Sequence, residues 1–413
     1  MKKIAVMLPI GYRGGSLRAA KSIAKGIAFQ THKQNADIQV VFSYAKEGKY
    51  NLHLEFDDLI AAGIQLRETV WEVCSKSTLS ALATLVGIDK TNLEYEQYCV
   101  PTDGANDFFD CDFWLIVSDR LPAPLFPMRK YACLIFDYIQ RYVPEIFGDN
   151  SLLWETQVAN LFYTVQKSSK VFVTTPSTRA DMISYAGVDE ARIQLLEMEF
   201  HPIESRDTQI GSSLPADYVL WATNAASHKN HVNALESFEI YTQELKGRLH
   251  LVLTGVGTRY LDPRNKFPNE DPMLQPPQIQ YFREKIRQNP KLQNKVHILG
   301  NVSDSMFAGL IKTARFLWHP AIYDNGTFSV VEAAYLGTPS LSARYPAMEY
   351  INQKFDLNLQ FFDPLNQGSA AEALMNMETQ AKLIRLPEQS NLLQRDWKAL
   401  SLERYQAILE LVS

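Results

Sequence analysis

The chain has 413 residues, 46% of them hydrophobic and 21% charged, which fits a folded protein of two or three domains and excludes a disordered one. Its formal net charge of −5 excludes a nucleic-acid binder driven by phosphate neutralisation. Cys74, Cys99, Cys111 and Cys133 form no CxxC pair, which excludes a zinc knuckle or a disulfide framework and fits reduced thiols in a cytoplasm. The N-terminal apolar run is too short for a signal segment and is broken by Pro9 and Gly11. No window of ~20 apolar residues predicts a transmembrane helix.

Short apolar runs alternate with helical patterns along the chain. In the first half the runs are 3–10, 38–44, 112–118, 132–138 and 170–175, with amphipathic stretches such as "GSLRAAKSIAKGIAFQ" between them. Continuous apolar strands separated by helices predict a parallel sheet covered on both faces. The segment 197–216 is polar, with Gly, Pro and Ser, and reads as a linker. The second half repeats the grammar, with strands predicted at 217–224, 249–255, 295–302, 315–321, 338–342 and 359–364. The Pro-rich loop 257–278 is expected to be mobile. The final segment places Trp397, Leu400, Tyr405, Ile408, Leu409 and Val412 at helical spacing, so one amphipathic helix must bury its stripe. The expected architecture is α/β: two doubly wound, Rossmann-like domains facing a cleft, over 1–201 and 202–390, with 391–413 as a helix packing on the N-terminal domain. Ligands in such sheets bind at the carboxyl ends of the strands.

Three stretches carry candidate chemistry. In "HPAIYDNGTFSVVEAAYLGTPS" a strand, an Asp-Asn-Gly turn and a short helix follow one another, with Gly337 as the stop. Asp324 stands before the helix and Glu332 within it. The N–H groups of Gly326, Thr327 and Phe328 between them suit phosphate or sugar oxygens. A carboxylate such as Glu332 suits vicinal hydroxyls. The alternative is structural, since Ser329-Val-Val-Glu332 has the letters of a capping box, as does Ser369-Ala-Ala-Glu372. In "WATNAASHKNH" Lys229 sits near a helix start, where the helix dipole disfavours a cation, so either a bound anion such as a diphosphate explains it or it is a solvated lysine. The flanking His228 and His231 lack a third metal ligand. In "GYRGGSL" Gly14 and Gly15 permit close backbone approach to a ligand. This is not GxGxxG, so a nicotinamide-dependent oxidoreductase is disfavoured. Arg18, Lys21 and Lys25 share a helix face that is either solvated or meets an anionic acceptor or membrane. Asp110-Cys111-Asp112 resembles a metal-binding DxD by letters only.

Together these stretches resemble glycosyltransferase family 4, whose signature is an acid, seven residues, Glu, then Ala and a "GTP" turn. "SHKNHVNALESF" resembles the family's Lys-Asn helix start. "HILGNVSDSMFAGLIKTARFLWHP" resembles the segment that lies against the nucleotide base. "FDYIQRYVPEIF" is similar to a strand end of bacterial polysaccharide rhamnosyl- and mannosyl-type members. The resemblance implies a GT-B fold and retaining transfer of a hexosyl or deoxyhexosyl unit from a UDP, GDP or dTDP sugar. The implied acceptor is a glycan or lipid-linked molecule of polysaccharide or lipopolysaccharide synthesis, with no metal or other cofactor and no nucleic acid. The implied place is the cytoplasm, with peripheral contact at the inner membrane face.

Carried over by position, Asp324, Lys229 and Glu332 would be the catalytic residues. Lys229 would hold the diphosphate and Glu332 the ribose hydroxyls. Gly14, Gly15, Asn224, His228, Gly255, Asn301, Val302, Asn325, Gly326, Thr327 and Phe328 would bind substrate, with Asn301 and Val302 bordering the base. Two departures stand out. Thr223 and Asn224 occupy the positions of a usual Arg, and Phe136-Asp137 replaces a usual His; Arg13 and Arg344 are candidates to supply the missing cation. The alternatives are a GT-B nucleotide-sugar epimerase and a catalytically silent transferase-like subunit.

Overall fold

The computed structural model describes residues 1–89, 93–118, 120–147, 151–203, 214–324 and 328–412. The chain divides into two compact units, one of Met1–Asp137, Asp149–Glu199 and Trp397–Ser413, the other of Tyr138–Gly148 and Phe200–Asp396. Each has its own sheet. In the first, β1 (Lys2–Met7), β2 (Ile38–Ala45), β3 (Gln65–Ser75), β4 (Gln97–Thr102), β5 (Phe113–Val117), β6 (Tyr131–Ile135), β7 (Lys170–Val173) and β8 (Ile193–Leu195) run in the order β4-β3-β2-β1-β5-β6-β7-β8. All pairings are parallel except β3 with β4. The central runs "FWLIV" and "YACLI" are buried throughout, as strands covered on both faces must be.

The segments 65–75, 97–102 and 193–195 form strands that the apolar runs do not announce. Strand β3 is mostly exposed and carries Arg67, Glu68 and Glu72. Its outer half, itself largely exposed, pairs antiparallel with β4, whose residues Tyr98–Pro101 are buried.

The helix Trp397–Val412 belongs to the first unit and packs along the helix Gly15–Lys33. Tyr405, Ala407 and Ile408 enter the core formed by Ile4, Val6, Ile23 and Ile27. Gln30 Nε2 donates to Ser401 Oγ at 2.8 Å, and the rings of Phe29 and Trp397 meet edge-on at 6.1 Å. Arg404 pairs with the buried Glu199 carboxylate, to which Ser22 Oγ also donates. Two of the cations on the Gly15–Lys33 helix are used inside the unit: Lys21 and Lys25 both pair with Asp58. Asp110 accepts both Arg67 Nη atoms, at 2.7 and 2.6 Å, and Lys3 Nζ at 2.8 Å, so this acid of the DxD letters ties β1 and β3 together.

In the second unit β9 (Tyr218–Ala222), β10 (His250–Thr254), β11 (Val296–Ile298), β12 (Phe316–His319), β13 (Ser340–Ala343) and β14 (Gln360–Phe362) form a parallel sheet in the order β11-β10-β9-β12-β13-β14. Five of the six strands fall inside the runs predicted for this half, and β13 runs one residue past its run, to Ala343. Its core includes Trp221 and Trp318, whose rings lie 5.7 Å apart. The loop 257–278, expected to be mobile, is pinned by Arg283, whose Nη1 donates to the carbonyls of Tyr260 at 2.9 Å and Asp262 at 2.6 Å. Half of the predicted linker, residues 204–213, lies outside the described residues. The four cysteines are free thiols, and no described helix is long and apolar enough to cross a membrane.

Candidate functional site

The order of the second sheet fixes where a ligand belongs. From β9 the chain adds β10 and β11 on one side, then crosses to add β12, β13 and β14 on the other. In such sheets a ligand usually binds where the strand order reverses, outside the carboxyl ends of the strands, here those of β9 and β12. The loop after β9 brings Lys229, and the loop after β12 brings Asp324. Their side chains form an ion pair, Lys229 Nζ to Asp324 Oδ2, across that reversal. The two are 95 residues apart in sequence and only 12% and 11% exposed.

Lys229 does not stand in the helix start that the sequence suggests. It ends a short 3₁₀ turn, Ser227–Lys229, and the helix His231–Gln243 begins only after Asn230. Asn230 takes a left-handed conformation at φ 65°, which Asn tolerates better than most residues. Its Nδ2 donates to the carbonyls of Pro320 at 3.0 Å and Pro364 at 2.8 Å, joining the loops after β9, β12 and β14. A second tie comes from Ile322 N–H, which donates to the His228 carbonyl at 2.9 Å. Asn230 was not singled out from the sequence, although an Asn between Lys229 and a helix is a signal for positive φ.

Burial alone would raise the Asp324 carboxyl, but the Lys229 ammonium, with His228 and His319 near, outweighs it and holds the group well below the usual carboxylate range. Burial pushes His228 down to about 3, and the Lys229 charge adds to that. His319, which ends β12, is likewise brought to about 3 by burial and Lys229. The surroundings of the ion pair are therefore neutral imidazoles. His319 Nε2 lies 3.0 Å from the Tyr345 hydroxyl. His231 is a core ring against Trp221 and Phe282, at 5.3 and 6.1 Å, and so is not a ligand. Among the described residues no group of three or more His, Cys, Asp or Glu is arranged to hold a metal ion.

Glu332 is buried, 1% exposed, inside the helix Phe328–Tyr335. Ser329 lies inside that helix rather than before it, which is the wrong register for a Ser329–Glu332 capping box. The Ser369 letters fail similarly: the cap there is Asn366, whose side chain accepts from Ser369 N–H at 2.9 Å. Asn325, Gly326 and Thr327 lie outside the described residues, and Phe328 is the first residue of the helix.

The remaining candidates divide into two groups. Gly255, Asn301 and Val302 stand beyond the carboxyl ends of β10 and β11, on the same edge of the sheet as Lys229. Gly255 has φ 134°, and a Cβ there would meet the Thr223 carbonyl at 1.8 Å, so the fold itself requires glycine. Its N–H donates to Gly300 O at 2.8 Å, which closes β10 against the Asn301 loop. Asn224 Oδ1 accepts from Ala226 N–H at 3.0 Å and shapes the turn that leads to Lys229. Gly14 and Gly15 lie in the first unit, after β1, where Gly14 precedes the helix at φ 67°. Of the substitutes suggested for the absent Arg, Arg13 is tied to Gly48 O and Glu55, and Arg344 to Glu349.

Residues 204–390, which include Lys229, Asp324 and Glu332, match the family model described as "Glycosyl transferases group 1". No curated protein matches the chain. Among solved structures, sucrose-phosphate synthase from Thermosynechococcus elongatus aligns with a TM-score of 0.65 at 12% identity, covering 100% of this chain and 99% of that one. Anabaena HepE in complex with UDP-glucose aligns at 0.64 and 14%, covering 99% and 100%. WaaG, a glycosyltransferase involved in lipopolysaccharide biosynthesis, aligns at 0.55 and 15%, covering 99% and 95%. The fold is therefore GT-B, and the unit that holds the Lys229–Asp324 pair is the one that matches the group 1 glycosyl transferase model.

Proposed function

We propose that this protein is a retaining glycosyltransferase that moves a hexosyl or deoxyhexosyl unit from a nucleoside-diphosphate sugar to a glycan or lipid-linked acceptor, without a metal ion. The observation that carries the reading is the Lys229–Asp324 pair at the reversal of the second sheet. A buried ammonium in a ligand crevice is suited to a diphosphate, and a buried carboxylate beside it to a sugar that develops positive charge. The match to the group 1 model and the likeness to HepE, solved with UDP-glucose, support the same class of donor.

In this reading Lys229 holds the diphosphate, with Phe328 N–H and the residues just before it. Glu332 takes the ribose hydroxyls, and Asn301 and Val302 border the base. His228 is neutral in the free protein, and its ring can donate a hydrogen bond to a diphosphate. The acceptor hydroxyl attacks the anomeric carbon on the face from which the diphosphate leaves. The bond from that carbon to the phosphate oxygen breaks, and the leaving phosphate takes the hydroxyl proton. No protein nucleophile is required. Lys229 and the N–H groups stabilise the charge that grows on the phosphate, the kind of preorganised help that a divalent ion gives elsewhere.

A thermal-shift panel of UDP, GDP, dTDP and NAD tests the reading, since a ligand at a hundred times its Kd stabilises by about 2.7 kcal/mol. One nucleoside diphosphate should raise the melting temperature, and turnover with the matching sugar donor should survive excess EDTA. A response to NAD alone, or activity lost to EDTA and restored by Mg²⁺ or Mn²⁺, counts against it. Release of an altered free sugar without an acceptor would make the protein an epimerase instead.

A further inference from the structure

The second unit contains one short segment from far away in the sequence. Tyr138–Gly148 follows β6 of the first sheet, yet it clusters with the second unit. Tyr138, Ile139 and Gln140 are buried, and Arg141 N–H and Val143 N–H close the turn onto Tyr138 O at 2.9 Å and Ile139 O at 2.8 Å. Two contacts take the segment to the ion pair. The turn Pro144–Phe147 packs against the turn Ser227–Lys229 that ends in Lys229. The ring of Tyr142 lies flat on that of Tyr323, the residue before Asp324, with centroids 3.9 Å apart and planes at 9°.

Tyr323 is also near Tyr345 on another side, at 5.4 Å between centroids, and Tyr345 meets His319 as described above. The five residues from Pro320 to Asp324 are thus held at Pro320 by Asn230, at Ile322 by the His228 carbonyl, and at Tyr323 by two aromatic rings. Among these supports only the Tyr142 stack comes from outside the 200–396 stretch. It bears on the residue adjoining Asp324.

We infer that Tyr142 is a positioning residue for transfer: its stack on Tyr323 fixes where the Asp324 carboxylate stands relative to Lys229. The inference rests on the glycosyltransferase reading. It uses the ring and not the hydroxyl, so Tyr142→Phe should retain the function and Tyr142→Ala should lose it. Asp324 acts on the developing charge of the sugar, whereas the nucleotide is held by Lys229 and Glu332. Loss of the stack should therefore lower kcat and leave nucleotide binding nearly unchanged.

The test is steady-state transfer with the nucleotide sugar chosen by the panel above, on wild type, Tyr142→Phe, Tyr142→Ala, Asp324→Asn and the double variant Tyr142→Ala/Asp324→Asn. Calorimetric titration with the free nucleoside diphosphate runs alongside. Tyr142→Ala should lower kcat roughly 3- to 10-fold, the worth of one aromatic stack expressed in the transition state. Its nucleotide Kd should stay within about twofold, and Tyr142→Phe should match wild type. In the Asp324→Asn background the Tyr142→Ala change should have no further effect, because the residue acts through that carboxylate. Wild-type kcat in Tyr142→Ala, a failure of Phe to rescue, or full additivity with Asp324→Asn overturns the inference while leaving the functional reading intact. A wild-type protein that binds nucleotide but transfers no sugar overturns the reading, and this inference with it.

Discussion

Replacing Asp324 by Asn leaves the Lys229 ammonium in a site where it is only 12% exposed, with no charge to face it. Breaking one side of a buried pair costs about 3–5 kcal/mol, because the desolvated partner is left uncompensated. The unit concerned has on the order of two hundred residues, for which each kcal/mol moves the melting temperature by about 2–4 °C. Asp324→Asn should thus melt roughly 6–20 °C below wild type, and Lys229→Met, which strands the carboxylate instead, should fall in the same range. The double variant Lys229→Met/Asp324→Leu removes both charges and should recover most of the loss. Nucleotide binding separates the two single variants. A diphosphate must share Lys229 with Asp324, so Asp324→Asn should bind the free nucleoside diphosphate at least as tightly as wild type. Lys229→Met should bind it 10-fold or more weakly, the effect of losing about 1.4 kcal/mol or more of charge-assisted hydrogen bonding. The assays are differential scanning fluorimetry and calorimetric titration on all four proteins. Single variants within 1–2 °C of wild type, with an additive double variant, would refute the energetic coupling. Equal weakening of nucleotide binding by both would refute the competition for Lys229.

The buried imidazoles give a pH dependence. His228 and His319 at about 3 and His231 at about 4 lie below the ordinary 6.5, so the unfolded chain takes up protons first and stability falls as pH drops below 6.5. At pH 5.5 the three together should cost roughly 4 kcal/mol relative to pH 7.5, read from urea midpoints at the two pH values; a flat profile would contradict it. Glu332→Gln should mainly raise the donor KM, since a Gln keeps only part of the bonding to two hydroxyls, and unchanged kinetics would assign Glu332 to the fold alone. Gly255→Ala forces a Cβ onto the Thr223 carbonyl and should destabilise by several kcal/mol, seen as a lower melting temperature or insoluble protein. Truncation after Asp396 removes Tyr405, Ala407 and Ile408 from the first core, so a truncated protein that melts like wild type would contradict the packing seen for that helix.

Periodicity in the chain carried the architecture. Runs such as "FWLIV" and "LHLVLTG" have no polar alternation, and such strands are stable only when both faces are covered, so a parallel sheet between helices followed from the residues themselves. The candidate site was legible in part for a similar reason. Lys229 and Asp324 each stand in a loop just after an apolar strand and before a helix, where ligand-binding residues of such sheets gather. What the sequence could not reveal is that the two meet, because an ion pair between residues 95 apart depends on strand order and not on spacing. The same holds for Asn230, whose two bonds span three loops, and for the basic residues Lys21 and Lys25, which a helical wheel leaves facing out and the tertiary structure turns onto Asp58. Strand β3 escaped notice because it is mostly exposed and held by backbone pairing, and the buried β4 because its run Tyr98–Pro101 is short and ends in proline. Tyr142 is the clearest case: it lies in the stretch "FDYIQRYVPEIF", but nothing there points to Tyr323, and only the fold lays its ring on that residue, since an aromatic face finds its partner by proximity alone.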